Sequence, residues 1–279
     1  MIKSKKHLKS LVGVSFAELK KISENRDSYY REKKELKKDK NGRPRTKQGK
    51  LQYRVLNPSQ GRLKYVQKKL VRTVLSKVIL HDAVYGGVRG KDNIKNGRCH
   101  QGKKYKFLTD LRKFFPSITT KMVFDGLIRK GFSSDIAHII TGLTTYKGKV
   151  PQGAPTSTHI ANIAVACVDD EILDITNEYN ITYTRFVDDL SFSSDKPFQP
   201  LTKEILAIIS KYNLSISHRK TFYSLGSVDM TGVRVKNNGI DVTASFKKKL
   251  ANPDKFESQQ VEGHKNYAAR VKHISLSGI

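Results

Sequence analysis

Three aspartates have the residue type and the sequence surroundings for metal-dependent chemistry. Asp188 and Asp189 lie between two short β-patterned runs, ITYTR and LSFSS, which predicts a hairpin with both carboxylates at its tip. Asp110 ends another β-like run, KYKFLTD, 78 residues earlier (188 − 110). Carboxylates at strand ends of a basic protein suit metal-assisted phosphoryl transfer on nucleic acid.

The charge balance indicates the class of partner. The 279 residues contain 53 Lys and Arg against 25 Asp and Glu, a formal net charge of +28 with a pI near 10.0. This excess predicts a polyanion, with nucleic acid as the leading choice. We expect no membrane partner, because no apolar run approaches the roughly 20 residues of a membrane helix.

The apolar stretch Leu11–Ala17 is too short for a secretory signal, so we expect a cytoplasmic protein. Cys99 and Cys167 lie far apart, and their spacing indicates neither a disulfide framework nor a zinc site.

Hydrophobic periodicity and turn residues predict the elements that position the acids. The N-terminal half is expected to hold a charged helix running into a loop over 26–50, a strand over 51–56 with a turn at Asn57-Pro58, a helix whose apolar stripe extends from Leu63 to Ile79, and a glycine-rich loop over 86–104. The remainder is expected to hold helices over 119–130, 134–145, 157–178 and 201–212, a hairpin turn at 237–239, and a basic helical end over 245–279.

A second acidic doublet, Asp169-Asp170, lies in the predicted helix over 157–178. The apolar stripe of that helix leaves both aspartates on the outward face, so we expect them on the surface. The strands at Asp110 and Asp188, separated by helices and followed by a helix and further strands, predict a split-βαβ, ferredoxin-like sheet.

Four segments in this order resemble motifs A, B, C and D of reverse transcriptases: DLRKFFPSI, VPQGAPTSTHIAN, FVDD and the lysine of LSISHRKT. The resemblance covers roughly residues 50–245, and the shared order makes it more specific than any single motif. It implies an α+β right-hand polymerase with fingers, a ferredoxin-like palm and a short helical thumb. The implied division is fingers over 1–102, palm with motif A over 103–117, fingers and palm helices over 118–149, palm with motifs B to D and an E-like segment over 150–240, and thumb over 241–279.

Two shorter segments narrow the resemblance to bacterial retron or closely related defence-associated reverse transcriptases. NGRCHQGK is similar to their Asn-Ala-x-x-His segment, and MTGVRV resembles their Val-Thr-Gly segment. The chain departs from the common pattern in having Phe186-Val187 before the paired aspartates and Thr158 where proline is common.

The resemblance implies roles for individual residues. Asp110, Asp188 and Asp189, with the backbone of Leu111, would ligate two Mg²⁺ ions, with Mn²⁺ as an alternative, and Lys220 would assist the departing pyrophosphate. The nucleotide would be bound by Phe115, Gln152, Gly153, Arg62 and Lys64, where Phe115 blocks the ribose 2′-hydroxyl. Asn96 and His100 would contact RNA. As residues in a basic chain, each of these has a structural alternative in packing, turns or solvated charge.

The implied function is an RNA-directed DNA polymerase that copies a bound structured noncoding RNA, serving as template and primer, into an RNA–DNA product with dNTPs. A retron enzyme would act in anti-phage defence with a separate effector protein. The alternatives are a defence-associated or intron-type reverse transcriptase with different priming, and a non-catalytic RNA-binding protein on a polymerase fold.

Overall fold

The computed structural model describes residues 2–39 and 42–276. Its helices are α1 Lys5–Val12, α2 Phe16–Glu24, α3 Gly61–Thr73, α4 Asn93–Arg98, α5 Phe114–Ser117, α6 Thr120–Arg129, α7 Ser134–Thr144, α8 Ser157–Ala164, α9 Ala166–Glu178, α10 Thr202–Lys211, α11 Ala244–Leu250 and α12 Ser258–Leu276. Its strands are β1 Lys33–Leu36, β2 Thr46–Lys47, β3 Lys50–Leu51, β4 Tyr53–Leu56, β5 Tyr105–Asp110, β6 Thr182–Phe186, β7 Asp189–Ser194, β8 Phe222–Leu225, β9 Val228–Met230, β10 Val233–Val235 and β11 Ile240–Val242.

The chain forms two compact units. One contains the described residues up to 81 and residues 113–170, and the other contains residues 82–112 and 171–276. No helix in the described part of the chain is both long and apolar enough to cross a membrane. The division into fingers, palm and thumb is a functional one and stays a prediction.

The first unit is mainly helical, and its helices pack closely where glycine faces a neighbour. A Cβ on Gly126 of α6 would lie 2.7 Å from the Ile163 carbonyl oxygen of α8. A Cβ on Gly142 of α7 would lie 1.9 Å from the Ser23 hydroxyl of α2. At Gly126 the neighbour is backbone, so a larger side chain there must displace a helix, whereas at Gly142 the Ser23 side chain would have to move.

Two helix predictions need correction. The apolar stripe of α3 is buried as expected, but the helix ends at Thr73, and Ile79 is 80% exposed. The expected single helix over 157–178 is two helices that meet at Val165. Asp169 is buried, 2% exposed, so its predicted surface position is wrong, whereas Asp170 is exposed as expected.

The charged segment 26–50 is not the predicted helix. It begins with a 3₁₀ turn over Arg26–Tyr29 and then forms β1, which pairs antiparallel with β4 from Lys33↔Leu56 to Leu36↔Tyr53. Lys and Glu favour helix locally, but pairing with a distant strand overrides this weak preference.

The second unit is built on a four-stranded antiparallel sheet with strand order β6-β7-β5-β8. This order, in which the first strand lies between the third and fourth, is that of the predicted split-βαβ sheet. A two-residue turn of Val187 and Asp188 joins β6 to β7, which confirms the predicted hairpin.

A second sheet, with order β11-β10-β9, packs with α4 and α12 around a buried apolar cluster. The turn at residues 237–239 joins β10 to β11 as predicted. Helices α11 and α12 account for most of the predicted helical end up to residue 276, and residues 277–279 of that prediction lie outside the described residues. The expectation that 86–104 is only a loop is wrong. Asp92 caps α4 by accepting from the N–H groups of Ile94 and Lys95, both at 2.9 Å, and Ile94 is fully buried.

Candidate active site

The β5–β7 ladder brings two of the three predicted acids together. Asp110 ends β5 directly opposite Asp189, which begins β7. The Asp110 carboxyl is close enough to Asp189 to contribute to the raised pKa of Asp189. Asp188 lies in the adjoining turn, and its carbonyl accepts from the Leu111 N–H at 2.8 Å. The predicted acids therefore come from two adjacent strands and one turn.

The turn that carries Asp188 is tightly held. Val187 has φ +61°, a left-handed conformation that is unfavourable for a β-branched residue. The buried Arg185 guanidinium donates to the Val187 carbonyl at 3.0 Å. On the other side, a Cβ on Gly86 would lie 2.4 Å from the Val187 nitrogen. Arg185 and Gly86 were not predicted from the sequence, because neither lies in a recognisable motif.

The charges of the site are strongly coupled. Burial, followed by the charge of Asp188, raises the pKa of Asp189, while Lys220 opposes the rise. Lys220 donates to the Asp110 carboxylate. Partial burial acts to lower the pKa of Lys220, but the hydrogen bond to Asp110 and the neighbouring carboxylates outweigh it, so the pKa is raised. Lys220 is therefore a protonated cation beside the acids at neutral pH.

The donor set fits a hard divalent cation. Asp110, Asp188 and Asp189 offer only oxygen ligands, which Mg²⁺ and Mn²⁺ prefer. Asp110 and Asp189 face each other across the ladder and Asp188 adds a further negative charge, so positive charge is favoured at this place. Within the described residues no three acidic, His or Cys side chains already converge as a ligand cluster. Mg²⁺ commonly uses few carboxylates and completes its shell with water and substrate phosphates.

A separate groove in the first unit gathers most of the predicted nucleotide-binding residues. It has a volume of about 460 Å³ and is lined by Lys64, Phe115, Gln152 and Gly153, among others. Gly153 has φ +99°, a conformation that favours glycine. The Gln152 carbonyl accepts from the Asn57 N–H at 2.7 Å, which joins motif B to the turn after β4.

Arg62 does not line this groove. Its guanidinium binds Glu18 at 2.7 Å and lies over the Tyr65 ring. Arg54 of β4 lines the groove instead, together with its cross-strand partner Glu35. The alternation of side chains along a strand could have identified Arg54 from the sequence. Residues 54 and 56 lie on the same face of the predicted strand, and Leu56 also lines the groove.

The expected RNA contacts of Asn96 and His100 are contradicted by burial, since both side chains are fully inaccessible. The His100 ring nitrogens bind Ser193 of β7 and Thr184 of β6, both at 2.7 Å. Asn96 donates to the Thr231 hydroxyl at 3.1 Å. Both side chains therefore bind other parts of the protein, and neither is accessible to an RNA.

A cavity of about 230 Å³ adjoins the acids within the second unit. Asp189 and Lys220 line it, together with Thr109, Asp229 and Thr231. Thr231 belongs to the predicted Val-Thr-Gly-like segment, which the structure thus places on the wall of the acid-bearing cavity.

The sequence matches the model of the family described as reverse transcriptase (RNA-dependent DNA polymerase) over residues 36–239. The retron Se72 reverse transcriptase of Salmonella heidelberg (strain 579083-10) is 29% identical over 69% of this chain and 53% of its own length. The retron Ec86 reverse transcriptase of Escherichia coli is 30% identical over 61% of this chain and 53% of its own length. The chain thus spans about half the length of these curated relatives.

A structural comparison bears on the fold alone. Apo telomerase from Candida tropicalis superposes with a TM-score of 0.51 at 12% identity, covering 76% of this chain and 49% of that one. This likeness agrees with the predicted right-hand polymerase fold. Since the family match extends over most of the chain, the protein belongs to the reverse transcriptase (RNA-dependent DNA polymerase) family, and its predicted resemblance to retron-type members is confirmed.

Proposed function

We propose that this protein is an RNA-directed DNA polymerase that copies a bound structured noncoding RNA into DNA from dNTPs. The observation that carries the proposal is the opposition of Asp110 and Asp189 across β5 and β7, with Lys220 bound to Asp110. Paired carboxylates beside a protonated lysine can serve both ends of a phosphoryl transfer.

Asp110, Asp188 and Asp189 would hold two Mg²⁺ ions, or Mn²⁺, with the Leu111 carbonyl as a backbone ligand. When bound, these ions supply Lewis-acid stabilisation of the attacking and leaving oxygens. The protein's contribution is to hold the carboxylates in place before the substrate arrives. The Arg185 and Gly86 contacts to Val187 serve this purpose, because a fixed turn avoids reorganisation during the reaction.

Lys220 would assist the departure of pyrophosphate. Its ammonium is half exposed and is held within reach of the carboxylates. A raised pKa keeps the side chain charged, so it stabilises negative charge on the leaving group and can donate a proton to it.

The groove of the first unit is assigned to the incoming nucleotide. Phe115 is partly buried and packs against Phe114, with ring centroids 5.4 Å apart. A ring held in this way resists displacement and can exclude a ribose 2′-hydroxyl. Gln152 and Gly153 would meet base and sugar, and Lys64 and Arg54 supply positive charge for phosphate.

The partner is proposed to be a structured noncoding RNA that serves as template and primer, with a branching 2′-hydroxyl that starts synthesis. The net charge of +28 supports polyanion binding. Segment 31–55 contributes 11 cationic and 3 acidic residues by sequence. An anti-phage role with a separate effector protein follows from the retron-type resemblance and belongs to the same proposal.

The decisive experiment is dNTP incorporation by the purified protein with its copurified RNA. Asp188→Asn is expected to lower the Mg²⁺-dependent rate by about 100-fold or more, because it removes a charged ligand. Asp170→Asn is the matched control, since Asp170 is an exposed member of the other acidic doublet. Equal incorporation by the wild type and Asp188→Asn would contradict the proposed site.

Two alternatives are separated by the product. DNA covalently joined to the copurified RNA indicates retron-type priming, whereas unlinked DNA indicates a defence-associated or intron-type enzyme with a different primer. RNA binding without any incorporation, in the wild type as in Asp188→Asn, would identify a non-catalytic RNA-binding protein. Sequencing the copurified RNA identifies the template in the first two cases.

A further inference from the structure

The turn between β9 and β10 adopts a conformation that its sequence does not favour. Thr231 has φ +45° and Gly232 has φ +93°, and the turn connects the paired residues Met230 and Val233. Two-residue hairpin turns with positive φ at both positions prefer Asn or Asp followed by Gly. A β-branched threonine at the first position is therefore strained and needs support from outside the turn.

Helix α4 supplies that support through two amides on one face. Asn93 donates to the Thr231 carbonyl at 3.1 Å, and Asn96, one turn later, donates to the Thr231 hydroxyl at 3.1 Å. Residues three apart face the same side of a helix, so both amides reach one residue. Asn93 also donates to the Tyr267 hydroxyl at 2.8 Å, which ties α12 to the same point.

The helix can reach the turn only because Gly97 permits close contact. A Cβ on Gly97 would lie 2.4 Å from a Val233 methyl group. Two residues after α4 ends, His100 binds the strands β6 and β7 through Thr184 and Ser193. One short segment is thus bonded both to the Thr231 turn and to the hairpin that carries Asp188 and Asp189.

We infer that Asn93 and Asn96 are positioning residues that hold the Thr231–Gly232 turn as a fixed wall of the cavity beside Asp189 and Lys220. Thr231 and both of those residues line this cavity. The inference rests on the proposed polymerase function and adds that this cavity, next to the proposed metal ligands, receives the reacting end of the primer. The two short segments that resemble retron markers then act together, because Asn96 of the first segment and the neighbouring Asn93 hold the strained Thr231 of the second.

The inference predicts a specific rescue. Asn96→Ala removes the bond to the Thr231 hydroxyl, and we expect a fall of about tenfold or more in the single-turnover incorporation rate, because small misplacements at a reacting centre are costly. In the Asn96→Ala background, Thr231→Gly should restore the rate to within about threefold of the wild type, since glycine adopts positive φ without support. Asn177→Ala, an exposed asparagine of α9, is the matched control.

The urea-unfolding midpoints of the wild type, Asn96→Ala, Thr231→Gly and the double variant separate failure of this inference from failure of the proposed function. We expect Asn96→Ala to lower the midpoint and Thr231→Gly to recover at least half of that loss, whether or not the protein incorporates nucleotides. Additive effects on the midpoint would overturn the coupling between Asn96 and Thr231. An Asn96→Ala protein that is folded at the assay temperature and incorporates dNTPs at the wild-type rate would overturn the positioning role. A wild type without incorporation would refute the polymerase proposal and, with it, the role at the primer end.

Discussion

The buried His100 makes the stability of this protein dependent on pH in a definable range. Its ring is fully inaccessible and binds two hydroxyl groups, those of Ser193 and Thr184. Burial, followed by the positive charge of Lys106, lowers the pKa of His100 from 6.5 to about 3. The folded protein therefore keeps a neutral imidazole at a pH where the unfolded chain binds a proton.

The size of this pH effect on the free energy of unfolding follows from proton linkage. Because the folded-state pKa is depressed, the unfolded state binds more protons between about pH 3 and pH 6.5. The contribution of His100 to the free energy of unfolding is thus complete above pH 6.5 and falls as the solution is acidified. For an unfolded pKa of 6.5, the loss between pH 7.5 and pH 5.0 is about 2 kcal/mol.

The assay compares the wild type with His100→Gln in urea at these two pH values, by far-UV circular dichroism. Glutamine does not titrate and can keep a hydrogen bond to one hydroxyl. Any change in the free energy of unfolding caused by the substitution itself is the same at both pH values, so it cancels when the losses on acidification are compared. We expect the wild type to lose about 2 kcal/mol more than His100→Gln on acidification. His7→Gln, at an exposed position of α1, removes one histidine elsewhere and serves as the control. Equal losses in the wild type and His100→Gln would refute a neutral buried imidazole.

Three further outcomes are expected from the proposed site. Phe115→Ala should admit ribonucleotides and reduce dNTP selectivity by about tenfold or more in primer extension, whereas unchanged discrimination would reject the blocking role. Gly86→Ala should lower the single-turnover rate by at least about tenfold, because the new methyl group would lie 2.4 Å from the Val187 nitrogen; a wild-type rate would show that the turn has freedom to move. Arg54→Gln should raise the KM for dNTP about tenfold, because Arg54 lines the groove. Arg62→Gln should leave the KM near the wild-type value, because Arg62 binds Glu18. A larger rise in KM for Arg62→Gln than for Arg54→Gln would show that Arg62 contacts the nucleotide.

The parts of the fold that were predictable are those with strong local signals. The hairpin at Val187 and the sheet around it follow from alternating strands, a short turn and helices of clear periodicity. Strand β1 was missed because its lysines and glutamate favour helix locally, and only pairing with β4 makes the segment extended. Asp169 was misplaced because an outward position on a helix is exposed only where no other element covers it.

The acidic residues of the candidate site could be predicted from the sequence, but the residues that hold them in place could not. The order of the motifs identifies Asp110, Asp188 and Asp189, but the register that sets Asp110 opposite Asp189 depends on strand pairing between positions 79 residues apart (189 − 110). Arg185 and Gly86 have no motif to mark them, since their role is defined only by contact with the Val187 turn. Supporting contacts of this kind leave little trace in one sequence.

The segment around α4 shows why polar residues alone are ambiguous. Asn93, Asn96 and His100 have few apolar neighbours, which favours a loop and a binding role. Asn93 and Asn96, three residues apart, nevertheless lie on one face of α4, and His100 follows two residues after the helix ends. In this unit these polar side chains are turned inward: Asn93 and Asn96 donate to Thr231, Asn93 also donates to Tyr267 of α12, and His100 binds β6 and β7. Polar residues at helical spacing near an acidic motif can therefore be internal hydrogen-bonding residues as well as RNA contacts. Their burial in the folded protein decides between the two.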